Sequence, residues 1–410
     1  MSKTYKLFAL TVIAFVSIAI LANWVFFAWF LNPNTLYDRA LDQVEAGKFA
    51  EARVTLAKLK RNRPPTPLDH GLQARVEIAE GQPEAALVEL AAIPDDHPLA
   101  RWARLRSGQL ERGQFRFRAA EEYLKKALQL VPAPVQELIE PRRELIYILG
   151  MQLRREELHR QFQVLAREAP LSAKEIYVWC LVRDLAWWEA SEQVPILEKA
   201  VQADPADDRS RVALAEILHR QSETDKALET LADDKTGSRF VAAEKLRIQI
   251  DREGPEALDA ALSSIPADDP LTATMRGRLA LLNGDGPAAV RCFEIALAAE
   301  PGRRQVVADL GRALALVGQA ERGKARTEQA GRIDALNNLL LKMENSAATS
   351  GPEEWRVLAR ACESAGRLDE ARAWFGLVLQ KNPLDEESQT AIFRIDNAEK
   401  RAAPGGRSDE

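Results

Sequence analysis

Apolar residues recur along most of this chain at helical spacing, and the runs they form are short. In residues 352–383 (PEEWRVLARACESAGRLDEARAWFGLVLQKNP), Trp355, Leu358, Ala359 and Cys362 stand at i, i+3, i+4 and i+7, which is one face of a helix. Gly366 follows, where the chain needs a residue that accepts positive φ to leave that helix. Ala371, Phe375 and Val378 then mark the inner face of a second helix, and Pro383 closes the unit. The pattern predicts a helix, a tight turn and an antiparallel helix.

The same ladder of offsets from the turn glycine returns elsewhere. It runs Gly284, Ala289, Phe293, Ala296 and Pro301, with Gly277 seven residues upstream, and again Gly47, Ala52, Leu56, Leu59 and Pro64. A further copy, Gly81, Ala86, Leu90, Ile93 and Pro98, is displaced from the preceding one by 34 residues at every position. Weaker copies follow. Gly108, Ala120, Leu124, Ala127 and Pro132 fit with a changed turn, and Phe162, Leu165 and Pro170 fit in the second helix only. Tyr177, Leu181, Leu197, Ala200 and Pro205 make another, as do Leu214, Ala215, Ala227 and Leu231. Leu246, Leu258, Leu262, Ile265 and Pro270 form one more, and Gly311, Leu314 and Gly318 begin the next.

This spacing resembles the tetratricopeptide repeat, a 34-residue helix–turn–helix. The resemblance covers most of residues 34–383 and implies an all-α fold, a helical-hairpin solenoid of about ten repeats. Small residues at the crossing let paired helices approach closely, and the larger residue one turn on fills the space between neighbouring units. No unit buries its apolar face alone, so only stacking stabilises the array.

Ahead of the repeats, Leu7 to Leu31 holds no charged residue over 25 positions. As a helix it spans about 37 Å, enough to cross a membrane core with some tilt. Trp24 and Trp29 lie toward its far end, where indoles favour the interface. Lys3 and Lys6 precede the span, while Arg39 and Lys48 are more distant on the other side. The positive-inside rule then places residues 1–6 in the cytoplasm and the solenoid outside it, as a single-pass protein of the inner membrane. A cleaved signal peptide fits less well, because cutting after Ala19 would leave a very apolar new terminus. The expected organisation is a stub (1–6), a transmembrane helix (7–31), a solenoid (32–335), a degenerate repeat or linker (336–351), a last repeat with capping helix (352–401) and a disordered tail (402–410).

Charge and candidate chemistry narrow the function. Residues 33–170 carry 22 basic against 20 acidic side chains and residues 171–410 carry 32 against 41, which is no footprint for nucleic acid. Cys180, Cys292 and Cys362 form no CxxC pair, so zinc ribbons and a disulfide framework are not expected. His70, His97, His159 and His219 are spaced too widely for a local metal site. Asp95-Asp96, Asp207-Asp208, Asp233-Asp234 and Asp268-Asp269 read as helix caps in inter-repeat loops. GQAERGKA (318–325) and GDGPAA (284–289) imitate phosphate-binding loops, but no strand precedes either, and both fall where a repeat turn is due. Trp179, Trp187 and Trp188 read as packing between repeats. No catalytic constellation, cofactor site or small-molecule site emerges.

The strongest charge concentration is residues 101–126, with eight Lys or Arg against three Glu. Arg101, Arg104, Arg112 and Arg116 stand at helical spacings there, a candidate surface for an acidic peptide or anionic lipid. The resemblance to anchored bacterial repeat proteins implies a non-catalytic scaffold that binds protein partners in assembling an envelope or membrane-associated complex. An accessory subunit of an enzyme complex and a self-associating envelope protein are the alternatives. One such relative type carries paired CxxC motifs near its C-terminus, which this chain lacks.

Overall fold

The computed structural model describes residues 32–132, 134–185, 190–254, 262, 265–343 and 350–402. The predicted span 7–31, Trp187, Trp188, Leu258 and the tail from 403 lie outside the described residues. Among the described residues no helix is long and apolar enough to cross a membrane, and every regular element is a helix.

The described residues form two compact units, one of 32–113 with 122–137, the other of 114–121 with those from 138 to 402. No boundary stood out there in the sequence.

The first unit begins with α1 (Pro33–Glu45), α2 (Phe49–Asn62), α3 (Pro67–Ala79), α4 (Pro83–Ala91) and α5 (Ala100–Gly113). Asn32 caps α1 by accepting from the Asn34 amide, and Pro33 takes the first helical turn, where no amide donor is needed. Leu36, Ala40 and Val44 of α1 pack with Ala52, Leu56 and Leu59 of α2 and with Leu72 and Val76 of α3. Each hairpin therefore buries its stripe partly against its own partner and partly against the next hairpin, as stacking requires.

α6 (Phe117–Gln129) and α7 (Val135–Met151) each have residues in both units. The second unit continues with α8 (Arg155–Glu168), α9 (Ala173–Val182), α10 (Ala190–Ala203), α11 (Asp208–Arg220), α12 (Thr224–Ala232) and α13 (Arg239–Glu253). It is completed by α14 (Pro270–Leu282), α15 (Gly286–Ala299), α16 (Arg304–Leu316), α17 (Ala320–Lys342), α18 (Pro352–Ser364), α19 (Leu368–Lys381) and α20 (Glu386–Ala402).

The ladder residues sit where the spacing placed them. Gly47, Gly81, Gly284 and Gly366 all have φ between +69° and +80°, the left-handed turn between paired helices. Ala52, Ala86, Ala289 and Ala371 are wholly buried at the crossings, and Phe293, Ala296, Trp355 and Phe375 are buried beside them. Pro301 and Pro383 lie in the exposed inter-repeat loops. A Cβ on Gly277 would stand 2.6 Å from the Phe293 ring, so glycine is what lets α14 and α15 approach.

Among the described residues three repeats make the same turn without glycine: Phe115, Leu153 and Ser222 have φ of 61°, 51° and 67°. The turn of the repeat containing Ala120 is thus at Phe115, while Gly108 is buried inside α5. Both phosphate-loop look-alikes are repeat turns, because Gly284 and Gly318 hold positive φ and α15 and α17 start just after them. Gly323 and Gly311 are the crossing of α16 with α17, where a Cβ on Gly323 would lie 2.8 Å from the Gly311 carbonyl oxygen.

Residues 336–342 continue α17, a helix of 23 residues, rather than starting a new element. Residues 344–349 of the expected linker lie outside the described residues. Ile395 of α20 is buried, but Phe393 is 70% exposed, so only one face of this last helix is covered.

Candidate functional site: a charged cavity in the second unit

α11, α13, α14 and α16 are the first helices of consecutive repeats, and one face of each is turned to a cavity of about 380 Å³. On α13 the lining positions are Phe240, Ala243, Glu244, Arg247 and Asp251; on α11 they are Arg209, Val212 and Glu216. On α13 these are i, i+3, i+4, i+7 and i+11, and on α11 i, i+3 and i+7, one side of each helix. The signal in the sequence was the charged residues Arg209, Glu216, Glu244, Arg247 and Asp251 at helical spacing on α11 and α13, and a search for apolar periodicity passes over them.

The cavity wall is a lattice of ion pairs. Arg155 Nη2 donates to Glu216 Oε1 at 2.7 Å, and Arg220 reaches the same oxygen at 2.7 Å. Burial opposes ionisation of Glu216, yet the Arg155 and Arg220 charges outweigh it and hold this carboxyl below its usual range. Arg154 donates to Glu121 and Glu157 at 2.8 and 2.6 Å. Arg278 bridges Asp251 and Asp309 at 3.2 and 3.3 Å. Glu156 has no such compensation: burial raises its carboxyl despite Arg183 and Arg160 nearby.

Arg209 differs from these. Its guanidinium carbon lies 3.2 Å from the centre of the Phe240 ring. Among the described residues no carboxylate or carbonyl accepts a hydrogen bond from it, although Glu157 and Asp208 contribute attraction. Burial, then the neighbouring Arg154 charge, pulls the Arg209 guanidinium below its ordinary value. A planar cation stacked on an aromatic face keeps its edge donors available.

Of the four arginines offered as a partner surface within residues 101–126, two are not at the surface. Arg101 and Arg104 are buried in the first unit. Arg101 Nε donates to the Ala127 carbonyl at 3.2 Å and Nη2 to Leu130 at 2.5 Å, while its Nη1 pairs with Glu137. Arg104 donates to the Leu90 and Ile93 carbonyls at 3.1 and 2.8 Å and to Asp95. Both side chains therefore satisfy carbonyls left over at helix C-termini. Arg112 and Arg116 are half-buried, engage neighbouring groups, and fall in different units. Asp95 pairs with Arg104 and Lys126 rather than capping a helix, whereas Asp207 and Asp269 do cap α11 and α14.

A second polar assembly joins the α8–α9 hairpin to α15–α19, so that the chain of the second unit returns on itself. Tyr177 Oη donates to the Leu340 carbonyl at 3.0 Å, and Arg183 donates to the Pro301 carbonyl at 2.6 Å. Asp184 accepts from the Arg304 amide, from Asn337 and from Arg367, at 3.0, 3.2 and 2.9 Å. His159 Nδ1 accepts from Trp179 Nε1 at 2.9 Å, and burial, with Arg183 adding to it, drops this imidazole to about 3, so it is neutral. Trp179 stacks on Phe162 at 5.3 Å, the packing role foreseen for it. No group of three or more His, Cys, Asp or Glu stands ready for a metal among the described residues.

Family models described as "Tetratricopeptide repeat" match residues 274–322 and 355–376, which are α14–α17 and the α18–α19 hairpin. In these two segments the chain matches the tetratricopeptide-repeat family. No curated protein matches it. Solved structures with which it shares a likeness include the APC/C hetero-tetramer Cut9–Hcn1, at 15% identity over 96% of each chain with a TM-score of 0.37. The TPR domain of P58(IPK) is 15% identical over 92% of this chain and 99% of that one, with a TM-score of 0.27. The human IFIT1 dimer with PPP-AAAA is 16% identical over 91% and 93%, with a TM-score of 0.31. The assignment rests on the matched repeats and their geometry.

Proposed function

We propose that this chain is a membrane-anchored, non-catalytic scaffold whose second unit holds a segment of a partner protein in the charged cavity. Tetratricopeptide repeats imply protein–protein interaction, and the cavity is built from the repeats' first helices. Residues 7–31 supply the anchor, Lys3 and Lys6 stay in the cytoplasm, and the repeats serve assembly of a complex at the outer side of the inner membrane. The basis for the topology is the uncharged stretch and the lysines on one flank of it.

The observation that carries the site is Arg209, a guanidinium stacked on Phe240 with its hydrogen-bonding edge uncommitted inside a wall of paired charges. A carboxylate of the partner is the complementary group. Full-length protein in detergent, titrated with a panel of acidic peptides and their glutamine counterparts, should bind its best acidic peptide about tenfold more tightly than the glutamine form. Arg209→Gln should erase that difference while leaving the helical content unchanged. Equal affinity for both forms, or a preference that survives in Arg209→Gln, would remove the site from this cavity.

A further inference from the structure

Cys180 of α9 and Cys362 of α18 are 182 positions apart in the chain, yet their sulfurs lie 3.6 Å apart and both side chains are fully buried. The pair sits within the junction that returns the second unit on itself. Arg367 Nη1 donates to the Cys180 carbonyl at 2.9 Å, and Trp374 Nε1 points at Cys180 Sγ at 3.4 Å. The Arg367 bond to the Cys180 carbonyl thus holds α9 beside the start of α19 independently of the sulfurs. A disulfide needs the two sulfurs about 1.5 Å closer, within reach of small side-chain rotations. Cys292 is half-buried on α15 and takes no part in the pair.

We propose that Cys180 and Cys362 form a disulfide that locks the α8–α9 hairpin to the C-terminal repeats. The oxidant is a small or protein disulfide. The two cysteine thiols release two protons and two electrons, a sulfur–sulfur bond forms between them, and the oxidant's disulfide is cleaved to two thiols. In the folded chain no oxidant reaches sulfurs that are fully covered, and burial keeps the Cys362 thiol well above the ordinary thiol range, hence protonated. The bond therefore forms as α9 and α18 meet during folding, and once made it resists reduction. Its formation in the cell rests on the topology proposed above, because disulfides persist in oxidising compartments.

The test refolds the full chain in detergent with a mixture of oxidised and reduced glutathione, then counts thiols under denaturing conditions. The count should fall from the three cysteines present to one, and digestion should release a linked Cys180–Cys362 fragment. Cys292→Ser, which leaves the junction intact, should fall from two thiols to none, and Cys362→Ser should keep both of its thiols. Three free thiols in a helical, oxidatively refolded chain, or a link involving Cys292, would overturn the proposal. Protein isolated from its own membranes, with thiols alkylated at lysis, should also show a single free thiol. Three there, beside a normal link in the refolded chain, would overturn the extracytoplasmic placement and leave the pair's chemistry standing.

Discussion

At the scale of single residues the fold is set by close approaches that tolerate no added atoms. Ala289 is wholly buried at the α14–α15 crossing, and Gly277 faces the Phe293 ring across it. Ala289→Leu and Gly277→Ala should each destabilise the protein by roughly 1–3 kcal/mol, read as a lower urea midpoint. Unchanged midpoints would mean that the helices can separate there without cost. Ser222 presents the opposite case. It holds φ of 67° in an exposed turn where other repeats use glycine. Ser222→Gly should stabilise by up to about 1 kcal/mol, since the left-handed conformation costs a side-chain-bearing residue on the order of 1–2 kcal/mol and glycine's greater freedom when unfolded returns part of it.

His159 makes the residue scale pH-dependent. Burial lowers its folded imidazole to about 3, whereas the unfolded one titrates near 6.5, the ordinary value for histidine. Between these values the unfolded state binds the extra proton, so stability is lost as pH falls through that window and is complete above it. From pH 6.5 to 5 the wild type should lose about 2 kcal/mol relative to His159→Gln, which cannot take up that proton. Parallel denaturant curves of the two proteins over this range check it. Coincident pH dependence would show that the imidazole charges in the folded state.

At the scale of elements, the offsets from turn to crossing are legible in sequence because a 34-residue unit has only one way to bring two apolar stripes together. Ala52, Ala86, Ala289 and Ala371 illustrate this: the sequence identified each by its distance from a glycine, and each is wholly buried. Where the turn is Phe115, Leu153 or Ser222, no glycine announces it, and the unit was read with a changed or missing turn. α17 escaped for a different reason. Its last turns bury Leu336 and Leu340 and offer the Leu340 carbonyl to Tyr177, far away in sequence, so its length answers a tertiary contact rather than the repeat.

At the scale of the whole molecule, solenoid repeats normally couple only to their neighbours, but in the second unit the α8–α9 hairpin also contacts α17–α19. Arg367 is 3% exposed and holds both the Cys180 carbonyl and Asp184. Arg367→Ala removes one of the three donors to the part-buried Asp184 carboxylate and leaves the Cys180 carbonyl unpaired, and should cost about 3 kcal/mol. Hydrogen exchange should then rise at α9 and α18–α19 together while the first unit stays protected. A uniform rise over both units would show that the junction is not a local closure. The topology proposal belongs to the same scale: with the outer layer of the cell opened, an impermeant protease should degrade the repeats, and full protection would reverse the orientation.

The sequence by itself determined the helical class, the pairing of helices and the crossing residues, because these follow from the periodicity of apolar positions and from local turn chemistry. It also supplied the charge-free stretch on which the anchor proposal rests. Tertiary structure alone decided which charges are free to act. Arg101 and Arg209 look alike in the chain, yet the first is spent on helix-end carbonyls in the first unit and the second stands open over Phe240. Only the fold, likewise, brings Cys180 to Cys362. Local periodicity records what each helix must bury, while contacts between residues many repeats apart depend on how small rotations per repeat accumulate along the solenoid, and no residue spacing encodes that sum.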